Sequence, residues 1–542
     1  MTDPYKSPSA YICETDALPN SVVEVATAVP AFIGYTEKHD NKGSSLMNKP
    51  WCITSMAEFA ISFGGAPTDQ YTIDVFPSED AQVVNAEKSD FHIGKNEFQI
   101  LSKSKRFFLY YSMMMFFQNG GSRCYIVAVG DYTQAIEKSK LEAALDELLK
   151  EQEPTMVVIP DAMSLAAEDC FALQQASLMH CGGRMRNRVA ILDVFDGFKD
   201  RRTGGDCVSK FRDSLGINFL DFGAAYYPWT NASVVELPSL NFRNIANVDK
   251  LKDVLSSDLS QRTMSDDKRA SHQAIIDSID GVLAAAKKLK NERETAVKVK
   301  AESDAKGSSE DSGAAKAEKE IEFRTAELHK TLCAICPLYV EILTMIQTKL
   351  NLLPPAAAMA GVYTLVDNRL GVWKAPANIS LNAVVTPAVN ISNDEQEDLN
   401  VSPAGKSINA IRKFIGEGTL VWGARTLDGN SLDWRYINVR RTVIMLEESI
   451  RLAFKAYVFE PNVENTWVTI KGMVSSYLNS VWKRGGLAGA CPEDAFSVFV
   501  GLGETMTAED ITEGIMRVTL LVALLRPAEF IEITFTQQMQ KS

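Results

Sequence analysis

The sequence predicts a multidomain α/β protein, and three observations carry that prediction. The first is a set of near-continuous apolar runs: Cys124-Tyr125-Ile126-Val127-Ala128-Val129, Met156-Val157-Val158-Ile159-Pro160 and Val189-Ala190-Ile191-Leu192-Asp193-Val194. The second is amphipathic helical patterning around them, at about 107–118, 135–149 and 165–181. Strands that are apolar on both sides and alternate with helices belong to a largely parallel sheet covered on both faces. The third is size: 542 residues with 46% hydrophobic content exceed what one core organises.

The elements follow in order. Tyr11-Ile12-Cys13-Glu14-Thr15 is a short extended stretch after the proline-punctuated Asp3-Pro4-Tyr5-Lys6-Ser7-Pro8. A turn at Pro19-Asn20 leads through β-branched residues into a buried strand, Val29-Pro30-Ala31-Phe32-Ile33-Gly34-Tyr35-Thr36. The α/β region comes next. Around 286–320 Lys, Glu, Ala and Ser dominate, with Gly307-Ser308-Ser309-Glu310-Asp311-Ser312-Gly313 in the middle. That composition reads as a long helical hairpin with a mobile, solvated tip.

A second body starts near Pro354-Pro355, a turn rather than a binding loop. Its main feature is a helix expected over 438–459, with Val439, Val443, Leu446, Ile450, Ala453 and Tyr457 on one face. Asn438 would cap its start, and Glu460-Pro461-Asn462 would end it. The other face carries Arg440, Arg441, Arg451 and Lys455 against Glu447 and Glu448. Two readings stay open there: a solvated face with helix-pairing charges, or a docking surface for an acidic partner. Residues 515–525 read as a helix-like apolar run that Pro527 separates from a terminal strand. In that strand Phe530 is followed by Ile531, Ile533 and Phe535 on one side and Glu532, Thr534 and Thr536 on the other. Strands at both chain ends need a sheet to pair with, either their own or a neighbour's.

Composition narrows the function. A net charge of −13 argues against broad nucleic-acid binding, which needs dense Lys and Arg. No basic-then-apolar leader precedes a cleavage site, so synthesis in a cytoplasm is expected. The apolar run at 515–525 is too short for a membrane helix and holds Arg517, so direct membrane insertion is not expected. Nine scattered cysteines fit reduced core thiols, including Cys333 and Cys336 in an apolar run at 332–346.

Signatures of catalysis fail one by one. Gly405-Lys406-Ser407 lacks the earlier glycine of a phosphate loop, because Asn400 stands there. Asp221-Phe222-Gly223 has no accompanying kinase motifs. The five histidines lack metal-ligand spacing. Adjacent acids such as Glu447 and Glu448 diverge on a helix. No catalytic residue, metal or cofactor is expected.

Several stretches point to a family. They are the opening 11–36; Asn119-Gly120-Gly121-Ser122-Arg123-Cys124; Pro354-Pro355-Ala356-Ala357-Ala358-Met359-Ala360-Gly361-Val362-Tyr363; and Asp367-Asn368-Arg369-Leu370-Gly371-Val372-Trp373-Lys374-Ala375-Pro376. Val421-Trp422-Gly423-Ala424-Arg425-Thr426-Leu427, Phe459-Glu460-Pro461-Asn462 and Arg526-Pro527-Ala528-Glu529-Phe530 complete the set. In these the chain resembles the sheath proteins of contractile tails: phages, R-type pyocins and extracellular contractile injection systems. The first 35 residues and 354–542 match closely, the middle more loosely.

The resemblance implies an organisation and a mechanism. Residues 1–20 would be an exchange arm, and 21–35 with 354–525 the core domain facing an inner tube. Residues 36–353 would be an inserted outer α/β domain, and 526–542 a second exchange arm. Subunits would stack in rings around the tube in a metastable extended state. Contraction would then drive the tube through a target envelope without nucleotide hydrolysis. Tyr11, Ile12, Cys13, Glu14, Phe530, Ile531, Ile533 and Phe535 would be the exchanged strands, and Arg440, Arg441, Arg451 and Lys455 the tube-facing charges. The partners would be other copies of the chain, the inner tube, and baseplate and terminal cap proteins, in a phage tail-like particle. The alternative from another class is a cytoplasmic α/β enzyme with an unrecognised active site.

Overall fold

The computed structural model describes residues 22–76, 89–103, 105–202, 205–289, 311–401, 403, 405–530 and 532. It divides into two compact units. Ala28–Leu365 and Pro376–Arg435 form an α/β unit; Met1–Thr27, Val366–Ala375 and Tyr436–Ser542 form a smaller one.

One nine-stranded sheet organises the α/β unit. Its strands are β1 (Pro30–Thr36), β2 (Trp51–Ile53), β3 (Cys124–Asp131), β4 (Met156–Val158), β5 (Val189–Asp193), β6 (Gly223–Tyr227), β7 (Ile379–Ser380), β8 (Asn409–Phe414) and β9 (Gly418–Trp422). The order is β7-β9-β8-β6-β5-β4-β1-β3-β2. From β8 to β3 all neighbours are parallel, whereas β2, β9 and β7 pair antiparallel at the edges. All seven residues of β1 are buried, as the apolar run requires of a central strand, with Phe32 registered between Ile126 and Val158.

Helical crossovers join the parallel strands: α1 (Leu109–Gln118), α2 (Lys138–Glu147), α3 (Ala167–Leu178) and α4 (Cys207–Ser214). The chain steps from β1 outward to β3, then returns past β1 to β4, β5 and β6. Right-handed crossovers therefore put α1 on one face of the sheet and α2 to α4 on the other. Residues 28–35, 354–365 and 376–435, expected in the other domain, belong to this unit: β1 is a central strand of the sheet and β8 extends it from β6 (Tyr226 opposite Asn409).

Three further helices complete the labelled framework: α5 (Pro337–Leu350), α6 (Ala356–Leu370) and α7 (Asn393–Asn400). The run at 332–346 is not one helix. A helix at Asp311–Ile335 stops, and Pro337, lacking an N–H, opens α5 after a bend of 113°. Cys336 is buried at the break and Cys333 half-buried beside His329 (Sγ to Nε2 3.6 Å). Burial raises both thiols. The centre of the expected hairpin, 290–310, lies outside the described residues.

Buried and half-buried charges close the helix ends of this unit. Arg106 donates to the carbonyls of Lys349 (2.9 Å), Leu350 (2.8 Å) and Leu352 (3.1 Å) at the end of α5. Arg188 donates to Leu148 and Glu151 after α2, and Arg212 to Asp398 and Leu399 in α7. At the opposite pole, Asp161 accepts N–H groups at the start of α1, and Asp193 accepts that of Ala356 at the start of α6 (2.7 Å). Each satisfies terminal groups that the helix itself leaves without partners.

The smaller unit packs α8 (Ile437–Phe454) against α9 (Glu464–Lys483) and a ribbon of β10 (Phe496–Phe499) and β11 (Thr519–Val522). Met445, Leu446 and Ile450 meet Ile470, Met473, Val474, Leu478 and Val481 in its core, with Val22, Val25 and Trp373 packed alongside. The apolar run at 515–525, read as helix-like, holds a strand instead. Leu520 and Val522 pack inward while Thr519 and Leu521 are exposed, a period of two that only a strand satisfies.

Candidate assembly surface

The ribbon is the first feature of the smaller unit with unused bonding capacity. Phe496 pairs with Val522 and Val498 with Leu520 on its inner face; Ser497 pairs with Leu521 and Phe499 with Thr519 on its outer face. Among the described residues it is a two-stranded sheet, so along 496–499 and 519–522 each strand has one edge without a partner strand; just past β11 the chain bridges to Leu487, with Ala488 N–H donating to Ala523 C=O (2.8 Å). Such edges offer rows of N–H and C=O groups to another chain, and a two-strand ribbon gains stability when a third strand joins.

Both terminal segments lie against α8. On the N-terminal side, Val25 N–H donates to Ser449 Oγ (3.1 Å), Thr27 C=O accepts from Arg441 (2.9 Å), and Glu24 is paired with Arg484. On the C-terminal side, Leu525 C=O accepts from Asn438 Nδ2 (3.1 Å), and Tyr436 OH donates to Glu529 (3.1 Å). Phe530 is exposed and in no strand. Tyr11, Ile12, Cys13, Glu14, Ile531, Ile533 and Phe535 lie outside the described residues.

The helix α8 corrects the expected charged face. Arg440 and Arg441, read as surface charges, are only 6% and 4% exposed. Arg441 forms a two-pronged ion pair with buried Asp367 (2.9 and 2.5 Å). The reason is that the first half of α8 is enclosed on nearly all sides, so no polar face remains there; Val443 is the one residue of 437–446 that is not fully buried. Asn438 is no cap either: its amide donates to the carbonyls of Trp373 (2.9 Å) and Leu525. The second half is amphipathic as expected. Arg451 and Lys455 are exposed, and Arg451 is held by Glu448 (3.0 and 2.5 Å), which raises its pKa further.

Sequence reading missed the loop that follows. Phe459 is 102% exposed at φ +75°, a conformation costly for a bulky side chain. Leu452, Val458, Val463 and Val468 nearby in sequence are exposed too. The loop is nonetheless fixed: Asn462 Oδ1 accepts from the Trp467 indole N–H (2.6 Å), and its amide donates to Ile515 C=O (3.1 Å). The signal available was the Phe459-Glu460-Pro461-Asn462 tetrapeptide, which read as a helix stop and a family stretch but not as a contact loop.

The tripeptides that resembled catalytic motifs are committed to packing. Lys406 is buried with its ammonium on the Arg212 carbonyl, and Ser407 Oγ donates to Asn400 C=O (2.6 Å). Asp221-Phe222 forms a 3₁₀ turn that leads into β6 at Gly223. Among the described residues no three His, Cys, Asp or Glu side chains gather as a metal site.

Comparison with known proteins bears on this surface. Residues 430–538, most of the smaller unit, match the phage tail sheath C-terminal domain. The tail sheath protein of Vibrio phage KVP40 is 28% identical over 137 residues, a quarter of this chain and a fifth of that protein's length. Among solved structures, the contracted helical sheath of the anti-feeding prophage aligns over 99% of this chain and all of that one, with 25% identity and a TM-score of 0.55. The contracted sheath of an extracellular contractile injection system, PVC, covers 99% of both chains at 24% identity and TM-score 0.54, and shares the fold.

Proposed function

We propose that this chain, a contractile tail sheath protein by its C-terminal domain and its fold, is a non-catalytic structural subunit that polymerises around an inner tube. The observation that carries the reading is the ribbon with two open edges, in the unit to which both chain ends belong. Terminal segments 11–14 and 530–535 of neighbouring copies would add to those edges as strands, stitching the lattice by main-chain hydrogen bonds. Contacts of this kind are heterologous and non-closing, so they build filaments rather than small closed oligomers.

The exposed end of α8, with Arg451 and Lys455, and the Phe459 loop supply a surface for the tube or an adjacent subunit. Exposed ion pairs are individually weak, about 0–1 kcal/mol, which suits contacts that must be released on contraction. The extended array would be metastable, held by a kinetic barrier until a baseplate changes state. Baseplate and cap proteins would bound the polymer, in a phage tail-like particle made in a bacterial cytoplasm.

Negative-stain electron microscopy of the purified chain, beside a chain ending at Pro527, tests this. Hollow tubules from the full chain and none from the shortened one are expected. Small discrete particles from both, with inner tube supplied, would overturn the sheath reading.

A further inference from the structure

The α/β unit is closed at the place where sheets of its topology bind ligands. In an open doubly wound sheet that place is the crevice beyond the C-terminal strand ends, where strand order reverses. Here the reversal falls between β1 and β4. The N-terminus of α1 stands there, the type of donor group that takes phosphate or carboxylate in such folds. Phe108, at the cap position of α1, makes no side-chain cap bond.

The crevice already holds an anion. Asp161, three residues past β4, is fully buried, and its Oδ2 accepts the Tyr35 N–H at 2.7 Å. Its Oδ1 accepts the N–H groups of Phe108 (2.6 Å) and Leu109 (3.2 Å). Gly34 makes the room: a Cβ there would lie 2.5 Å from Asp161 Oδ2 and 3.0 Å from Leu109 Cβ. Burial lifts the Asp161 carboxyl to about 6 against the pull of three amides, while Asp193, equally buried with one amide, rises to about 7. Converging donors favour the ionised form, and three do so better than one.

We propose that Asp161 is a tethered ligand: its carboxylate fills an anion site built by the Tyr35, Phe108 and Leu109 amides, and removing it uncovers a site for a small free carboxylate such as formate. The inference rests on the α/β unit and not on the sheath reading, so either can fail alone. It makes this body a frame whose ligand crevice is sealed by the chain itself.

The test uses the full chain with Asp161→Gly and Asp161→Asn, melted at pH 8 in a titration of sodium formate. Asp161→Gly is expected to melt lower than wild type and to regain about 2 °C or more, saturably, as formate rises. Wild type and Asp161→Asn, whose crevice stays filled, should show only the shared salt effect. Equal responses in all three chains, or none in Asp161→Gly, would overturn the proposal. If Asp161→Gly folds only on dilution from denaturant, soluble recovery in formate should exceed that in chloride, and equal recovery counts against the site. Gly34→Ala supplies an independent reading. It should destabilise wild type and cost less than half as much on Asp161→Gly, and equal costs would uncouple the glycine from the carboxylate.

Discussion

The two units use their polar groups in opposite ways. In the α/β unit, charges turn inward to finish helices: Arg106, Arg188 and Arg212 on carbonyl ends, Asp161 and Asp193 on amide ends. In the smaller unit, backbone edges of β10 and β11 and the side chain of Phe459 are left to the outside. The first uses its charges to finish its own helices; the second, on the reading proposed above, offers its ribbon edges to other copies. The difference teaches where to look for function: it lies in groups whose partners the chain does not supply.

The sharpest way to break this comparison is to attack the charge in the smaller unit that behaves like those of the α/β unit. Arg441→Ala leaves Asp367 buried without its ion pair and should cost about 3–5 kcal/mol. Chemical denaturation followed by circular dichroism would measure it, and a loss under 1 kcal/mol would mean the pair is solvated.

Next in size is the titration of Asp193, held at about 7 by burial against an ordinary carboxyl near 4. A raised folded pKa contributes stability that is complete below the unfolded value and lost as pH rises through the folded one. Wild type should therefore gain on Asp193→Asn by at most about 1.4 kcal/mol per pH unit as pH falls from 7 toward 4, with no change between 8 and 9. Melting curves of both chains across that range check the sign.

Smallest in stability, and largest in assembly, are the outward groups. Arg451→Glu with Lys455→Glu should move monomer stability by less than about 0.5 kcal/mol, yet impair assembly on the tube. Phe459→Gly should leave the monomer unchanged or slightly firmer, since glycine adopts positive φ freely, while shortening or abolishing tubules. Normal full-length tubules from both variants would remove α8 and its loop from the contact surface.

Much of the fold was legible, for identifiable reasons. The strands at 124–131, 156–158 and 189–193 declared themselves because central parallel strands are apolar on both sides, and helices fell between them as expected. Arg440 and Arg441 misled because helical periodicity locates one buried face but cannot reveal a helix end enclosed all round. Residues 515–525 misled because four alternating strand residues sit inside a longer apolar run. Asp161 was invisible for another reason: its contact with Tyr35 joins positions 126 residues apart, and only the folded sheet brings them together. Of the residues named for the terminal strands, only Phe530 is among the described ones, exposed and in no strand.

The attachment of both terminal segments to α8 has a mechanical meaning. Tension on the N-terminal segment enters the helix through Ser449 and Arg441; tension on the C-terminal segment enters through Asn438 and, at its cap, Tyr436. The two pulls meet on one rigid rod, with a side branch from Glu24 to Arg484 at the end of α9. A string of such subunits would transmit stretch from splice to splice, leaving each folded body nearly unstressed while the whole changes length.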